Sequence, residues 1–315
     1  MRRQVRALPP RTDLKTRRKR AAATVVFHGL DLYERLTSRL LVSVTAPADD
    51  LFSRELEDLD AFRPGDVLDA RPVEVRLFRR RIKADAWQVK FRSTDSRGAA
   101  VSGVTTVMMP RRPFRGAVRP LLSYQCAIDS LGARADPSST LRRGNLWELP
   151  LMVLALRRGW AVVTTDHNGP EHAFGALPLV ARFVLDGIRA AIAFDVAGFD
   201  VRTPIGLWGY SGGAQATLFA AEQQPAYAPE LNLVGAAAGG AGVDHVSSPE
   251  MFEDGNILSG IPFGAVLGIS RGFPDVDLLG VLTPDGRALV AAAADMTVEE
   301  LVKSFAFVRW SEYLT

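Results

Sequence analysis

A serine flanked by glycines is the first place in this chain where residue types and spacing could do chemistry. Residues 209–213 read Gly-Tyr-Ser-Gly-Gly and have the spacing Gly-x-Ser-x-Gly. In that pattern a strained strand-to-helix turn exposes the serine hydroxyl, and the glycines let the strand and the helix approach closely. Ser211 is therefore the candidate nucleophile. Gly209, Tyr210 and Gly213 complete the candidate nucleophile elbow.

The residue after the candidate nucleophile predicts part of an oxyanion site. A helix that begins beyond Ser211 directs unpaired backbone N–H groups back toward the serine. The N–H of Gly212 is then a donor to the negative charge that develops on a carbonyl oxygen under attack. The alternative is a glycine-rich turn with an incidental serine, but an apolar strand before it and a helix after it favour the catalytic interpretation.

A serine hydroxyl needs a base to take its proton, and the base is normally a histidine. The chain contains four histidines, His28, His167, His172 and His245. Only the last of these follows Ser211, and it is the one candidate substitute base, although a loop histidine without catalytic role is the favoured interpretation.

The other three histidines are expected to be structural or remote. Asp166 and His167 are neighbours at a strand end, and neighbouring strand residues point to opposite faces, so they cannot both address one site. His167 is interpreted as a structural hydrogen-bonding residue. His172 stands in the following loop, where it could line a cleft, but the structural role is again favoured. His28 precedes the predicted fold.

Composition limits the function classes. The chain has 315 residues, 47% apolar and 23% charged, which suits one large α/β domain or two modest ones. Its single cysteine, Cys126, excludes an internal disulfide and a cysteine-based zinc cluster. No metal or cofactor is expected.

The net charge of +3 comes from the N-terminus, where residues 1–20 hold nine basic residues and one acid. A solvated extension is the favoured interpretation, and a signal-peptide n-region is the alternative, with a poor apolar segment behind it. Nucleic-acid binding is not favoured because no aromatic residues are interleaved. No transmembrane segment is predicted.

Two periodicities divide the rest of the chain. From about residue 67, segments such as VLDARPVEVRLF, DAWQVKFRSTD and VSGVTTVMMP alternate apolar and polar residues, which is typical of antiparallel strands. Beyond residue 120, short apolar strands alternate with helices, which indicates a parallel sheet covered on both faces. Gly159 is expected to end a helix, and residues 95–98 to form a turn.

These patterns predict an α/β-hydrolase-type, mostly parallel sheet with an antiparallel start and a helical cap. The predicted divisions are a basic tail and lead-in at 1–64, an α/β-hydrolase core at 65–243 and a helical cap or lid at 244–315. Within the cap, Gly255, Gly264, Gly268 and Gly272 are expected in turns. The sequence Thr297-Val298-Glu299-Glu300 has a capping-box pattern and is expected to open a helix that runs to the chain end.

Five segments in register resemble the secretory lipase family, the lipase-A-type α/β-hydrolases. They are SYQCAIDSL at 123–131, RGWAVVTTDHNGPEHAFG at 158–175, VLDGIRAA at 184–191, LWGYSGGAQAT at 207–217 and YAPELNLVGAAAGG at 227–240. The resemblance implies hydrolysis of acyl esters, with triacylglycerol-like lipids as substrates. It also implies a Ser-Asp-His triad in that chain order, and secretion, although the N-terminus shows no convincing signal peptide.

Carried over by position, Ser211 resembles the nucleophile and Gly212 the backbone oxyanion donor. Asp129 resembles an acidic side chain that the family uses at its oxyanion hole. A carboxyl can donate a hydrogen bond there only while protonated, so Asp129 needs a raised pKa. The neighbouring Cys126 is interpreted as a small buried residue.

The resemblance places the triad acid and histidine well beyond the cap, more than 100 residues after the serine, whereas the sequence ends at Thr315, 104 positions after the serine and still in cap-like sequence. We therefore expect the C-terminal strands, the triad Asp and the triad His to be missing. Two hypotheses follow. The first is a lipase or esterase that acts through Ser211, and the second is a catalytically incomplete or degenerate homologue that is inert or only binds. The sequence leaves the oligomeric state open.

Overall fold

The structure is a computed structural model that describes residues 58–195, 198–242 and 255–315, together with isolated residues and short stretches between 24 and 56. The strands of the described part alternate with helices after residue 120, as the sequence periodicity predicts. They are β1 (Val67–Val73), β2 (Arg76–Leu77), β3 (Arg80–Arg81), β4 (Ala84–Thr94), β5 (Ala100–Pro110), β6 (Leu121–Gln125), β7 (Ala161–Thr165), β8 (Ile205–Tyr210) and β9 (Leu233–Gly239).

Seven of these strands form one sheet in the order β1-β4-β5-β7-β6-β8-β9. The first three pair antiparallel with each other, and β5 pairs antiparallel with β7. The strands β7, β6, β8 and β9 are parallel, so their carboxyl ends meet at one edge. The predicted fold class, a mostly parallel sheet with an antiparallel start, is confirmed.

The helices of the described residues cover both faces of this sheet or follow its last strand in the chain. They are α1 (Pro137–Arg143), α2 (Leu149–Arg157), α3 (Leu177–Ala193), α4 (Gly212–Tyr227), α5 (Gly260–Gly272), α6 (Pro284–Ala293) and α7 (Val298–Phe305).

Alternating side chains of the strands supply two cores. Leu121 and Val163 point to the face that α3 and α4 cover, whereas Leu122 and Val162 point to the face that α2 covers. Because successive strand residues point to opposite faces, two apolar residues in a row serve both layers. This double coverage holds the strand ends in fixed positions relative to each other.

Some local predictions are confirmed. Gly159 has φ +83° just after α2, and Gly98 has φ +86° in the turn between β4 and β5. The Thr297 side chain accepts from Glu300 N while the Glu300 carboxylate accepts from Thr297 N, which is the predicted capping box.

Two predictions about the cap are wrong. Gly264, Gly268 and Gly272 lie inside or at the end of α5 and not in turns between helical pieces. A Cβ on Gly268 would lie 2.1 Å from Phe174 O, and one on Gly264 would lie 2.7 Å from Leu301 Cδ1. The glycines are therefore needed for close helix packing. The capping-box helix does not reach the chain end, because α7 ends at Phe305.

The segment predicted as a single strand over residues 67–78 also divides. β1 ends at Val73, and a short hairpin follows in which β2 pairs with β3. Phe78 has φ +51° in the hairpin turn, a value that a continuous strand excludes.

Asp50 connects the lead-in to the core by ion pairs. Asp50 is buried and accepts from Arg71 on β1 at 2.7 Å and from Arg142 on α1 at 2.8 Å. These hydrogen bonds hold the pKa of the Asp50 carboxyl well below its usual range. In the described part of the chain, no helix is both long enough and apolar enough to cross a membrane.

Candidate active site

The candidate nucleophile lies at the carboxyl edge of the sheet, between β8 and α4. Ser211 has φ 55° and ψ −122°, a backbone conformation that non-glycine residues rarely adopt. Its N–H donates to Gly239 O at the end of β9, at 2.9 Å. The strain is therefore held by the adjacent strand, and it is the strain expected of a nucleophile elbow.

The flanking glycines are required by contact. A Cβ on Gly209 would lie 2.2 Å from Gly213 O, and a Cβ on Gly213 would lie 2.0 Å from Gln125 O. Both distances are far below van der Waals contact, so a side chain at either position would push β8, α4 and the end of β6 apart. Tyr210 is half exposed and its ring packs over Gly240.

Asp129 lies directly against the residue after Ser211. It follows β6 and has φ +28°, which is a strained value for a residue other than glycine. A Cβ on Gly212 would lie 1.8 Å from Asp129 Oδ1 and 2.9 Å from Asp129 Oδ2. The carboxyl therefore occupies the space that any side chain at position 212 would need. The structure brings Ser211, Gly212 and Asp129 together.

The surroundings of Asp129 favour a protonated carboxyl. Burial raises its pKa to about 6, its own backbone N–H lowers it in part, and the charge of Glu299 raises it further. With this pKa the carboxyl is half protonated at about pH 6, and its protonated form can donate a hydrogen bond to an oxyanion, which the ionised form cannot. The first turn of α4 offers backbone N–H groups at the same place, because the first amides of a helix have no intrahelical partner.

An apolar cavity of about 590 Å³ opens on these three residues. One wall belongs to the sheet edge and to α4, with Gln215 and Phe219. The other wall belongs to the cap helix α5. The α5 residues that line it are Ile261, Pro262, Ala265, Val266 and Ile269.

This cap wall is the part of the site that sequence patterns did not reveal. The side chains that face the cavity share α5 with the glycines that face Phe174 and Leu301. Glycines every four residues with apolar residues between them are a signal for a helix packed on one side. Gly260, Gly264, Gly268 and Gly272 of α5 have this spacing.

The histidines do not complete a triad in the described residues. His167 is buried, and burial lowers its pKa to about 4. It lines a small cleft with Asp129 and Gly212, but its Nδ1 has no hydrogen-bond partner among the described residues. His172 Nδ1 lies 3.7 Å from Asp136 Oδ2, and burial lowers its pKa to about 4 as well. His245 lies outside the described residues.

Cys126, next to the turn that carries Asp129, is buried, and its Sγ lies 3.4 Å from Thr164 Oγ1. Burial and the charge of Glu148 raise the pKa of its thiol. Within the described part of the chain, no cluster of three or more His, Cys, Asp or Glu residues is arranged to hold a metal ion.

A mostly parallel sheet in which a strand ends at a strained serine, with a helix starting at the next residue, defines the chain as an α/β-hydrolase. The sequence model of the Secretory lipase family matches residues 139–313, which is more than half of the chain. The chain belongs to the secretory lipase family.

Individual relatives agree with this assignment. A protein of Mycobacterium tuberculosis named "Probable inactive lipase" is 36% identical over 81% of this chain and 59% of its own length. A secreted triacylglycerol lipase of Malassezia globosa is 34% identical over 77% of this chain and 53% of its own length. The chain therefore spans little more than half the length of these curated relatives.

The fold comparison extends to solved structures. Candida antarctica lipase A in its closed state superposes with a TM-score of 0.80 and 28% sequence identity. The match covers 87% of this chain and 65% of that lipase.

Proposed function

We propose that this chain carries the nucleophile and the oxyanion site of a serine hydrolase that cleaves acyl esters of lipids. One observation carries the proposal. Ser211, Gly212 and Asp129 line the same apolar cavity, with the serine in a strained turn and the aspartate carboxyl against Gly212.

The arrangement assigns a role to each of the three residues. The Oγ of Ser211 attacks the carbonyl carbon of the ester while its proton passes to a base, and the carbonyl oxygen gains negative charge. The N–H of Gly212 and the protonated carboxyl of Asp129 donate to that oxygen. The carbon–oxygen bond to the alcohol then breaks, the base returns the proton to the departing oxygen, and the acyl group stays on Ser211 until water hydrolyses it. None of the described histidines lines this cavity, and His167 lines only the small cleft beside it.

The cavity supports a lipid acyl chain as the substrate group. Its walls are mostly apolar, and none of the described residues that line it is basic. Apolar walls with a few polar groups at one end are typical of sites that bind an apolar ligand and orient its polar group. The triacylglycerol lipase among the relatives agrees with this substrate class. In this proposal residues 65–243 form the catalytic core and residues 244–315 form the cap.

A second function is favoured by a separate observation. Among the described residues no histidine lines the cavity, and a related protein bears the name "Probable inactive lipase". The chain would then be a degenerate homologue that binds an acyl lipid in the cavity without cleaving it.

A fluorophosphonate probe separates the two functions, because it reacts covalently with activated serine nucleophiles. The hydrolase proposal predicts labelling of the purified chain that disappears in Ser211→Ala. The matched control Ser270→Ala changes a serine of α5 that does not line the cavity, and it should label like the wild type. Absence of labelling, together with saturable binding of a fluorescent fatty acid, would contradict the hydrolase proposal and support the binding function.

A further inference from the structure

A buried carboxylate behind the oxyanion turn is the strongest feature that the proposed function leaves unused. Glu148 directly precedes α2 and is 1% exposed. Its Oε1 accepts from Tyr124 Oη at 3.0 Å, and its Oε2 accepts from Ala127 N at 3.1 Å. Tyr124 is the fourth residue of β6, and Ala127 stands two residues before Asp129. Both oxygens of Glu148 therefore accept hydrogen bonds from the segment that leads to Asp129.

The turn that carries Asp129 is short, and its hydrogen bonds come from two sides. From the core side, Glu148 holds Ala127. From the cap side, Leu131 N donates to Met296 O at 2.9 Å. Asp129, with its positive φ, lies between these two anchors.

The turn that carries Asp129 packs so closely against α4 that a small shift would change the site. The carboxyl of Asp129 lies where a side chain of residue 212 would be, and the carbonyl of Gln125 lies where a side chain of Gly213 would be. A displacement of the turn away from α4 moves the Asp129 donor away from the oxygen that it must reach. Misplacement by about 1 Å is enough to cost a large part of a catalytic effect.

We infer that Glu148 is a positioning residue of the oxyanion site, which holds Asp129 in place through the backbone N–H of Ala127. The inference rests on the proposed function of Asp129. This side chain suits the purpose because both of its oxygens accept hydrogen bonds, and a carboxyl oxygen can accept from a backbone N–H whether or not the group carries its proton. Tyr124 fixes the carboxylate from the other side, and its ring packs against Trp208 of β8 at 5.3 Å between centroids.

Several titratable side chains among the described residues surround the turn that carries Asp129. Glu148 faces Tyr124, Cys126 and the Asp129 carboxyl, and burial raises its pKa to about 7. Asp129 faces Glu299 of α7 as well. A variant of Glu148 therefore alters both a charge and a hydrogen bond, and the experiment must separate the two.

Two variants of similar length make that separation. Glu148→Gln removes the charge but keeps an oxygen that can accept from Ala127 N, whereas Glu148→Met removes both. The pKa of Asp129 is measured by carbon NMR of the carboxyl in the full chain, with Asp129→Asn to assign the signal. We expect the pKa to stay raised in Glu148→Gln and to fall by about one unit or more toward 3.8 in Glu148→Met, because the released turn admits water to the carboxyl. Equal pKa values in the two variants would overturn the inference.

The kinetic comparison uses the fluorophosphonate probe. Glu148→Met should lower the maximal labelling rate of Ser211 about ten- to a hundredfold with an unchanged half-saturating probe concentration. Glu148→Gln should stay within about threefold of the wild type, and an equal rate for both variants would overturn the inference. If Glu148→Met does not fold, Glu148→Asp, whose carboxylate is one methylene further from Ala127, replaces it. A wild type that is not labelled would refute the proposed function, and the Asp129 pKa would then decide this inference by itself.

Discussion

Asp129→Asn tests whether the oxyanion carboxyl works in its protonated form, because an amide donates hydrogen bonds at every pH and a carboxyl donates only while protonated. With a pKa of about 6, half of the Asp129 carboxyls carry a proton at about pH 6 and about 1% do at about pH 8. The wild-type labelling rate of Ser211, divided by the rate of the Asn variant, should therefore fall about 50-fold over that range. Taking the ratio cancels the pH dependence of the probe and of the serine.

Two further variants calibrate the labelling rates, one without the donor and one as a control. Asp129→Ala removes the donor at every pH and should be about 10²- to 10³-fold slower than wild type at about pH 5.5, as is typical for loss of one oxyanion donor. Asp60→Asn changes an exposed aspartate that does not line the cavity and should follow the wild-type profile. A flat ratio of wild type to Asp129→Asn, or an Asp129→Ala variant as fast as wild type, would refute the assigned role.

The same pKa shift predicts a stability effect that does not depend on catalysis. The folded-state pKa of Asp129 is raised from 3.8 to about 6, so its contribution to stability is fully present below 3.8 and is lost as pH rises through 6. The shift corresponds to a loss of up to about 3 kcal/mol. Between about pH 4 and pH 7, the free energy of unfolding of Asp129→Asn, measured with urea, should therefore rise by up to about 3 kcal/mol relative to that of the wild type. A constant difference would contradict the raised pKa.

Three more predictions concern the elbow, the cap and the core. Gly212→Ala should lower Ser211 labelling at least about 100-fold, because its Cβ meets the Asp129 carboxyl, whereas Gly235→Ala, with open space at its Cβ, should label normally. Val266→Asp places a carboxylate in the cavity wall and should raise the half-saturating concentration of a long-chain ester about tenfold, while the same change at the exposed Val276 should not. Asp50→Asn should lower the free energy of unfolding by about 1–3 kcal/mol near neutral pH, because it weakens two arginine contacts. That effect should be full above pH 3.8, the pKa of an unperturbed aspartate, and should decrease as pH falls below 3.8 toward the lowered pKa of the folded state, and equal urea midpoints at neutral pH would contradict it.

Sequence patterns predict the parts of the fold that are determined by residues close together in the chain. One short segment holds Ser211, Gly209 and Gly213. Its glycine spacing predicts a turn in which a strand and a helix approach closely, and the structure has this close approach. The alternation of strands and helices predicts a parallel sheet in the same way. Asp129 has no local signal, and only the resemblance to a family pointed to it.

The parts that could not be predicted depend on contacts between distant segments. The four-residue spacing of Gly264 and Gly268 indicates a closely packed side of a helix, but the distant residues that pack there, Leu301 and Phe174, cannot be identified from the sequence around the glycines. The role of Glu148 depends on its distance to Ala127, which lies 21 residues earlier.

The most direct test of the central claim is intact-protein mass spectrometry during reaction with a p-nitrophenyl ester of a fatty acid. The account predicts one acyl group per chain, located by peptide mapping on Ser211 and absent from Ser211→Ala. It also predicts slower acylation in Asp129→Ala. No acyl adduct on the wild type, or an adduct that persists in Ser211→Ala, would contradict the assignment of Ser211 as the nucleophile.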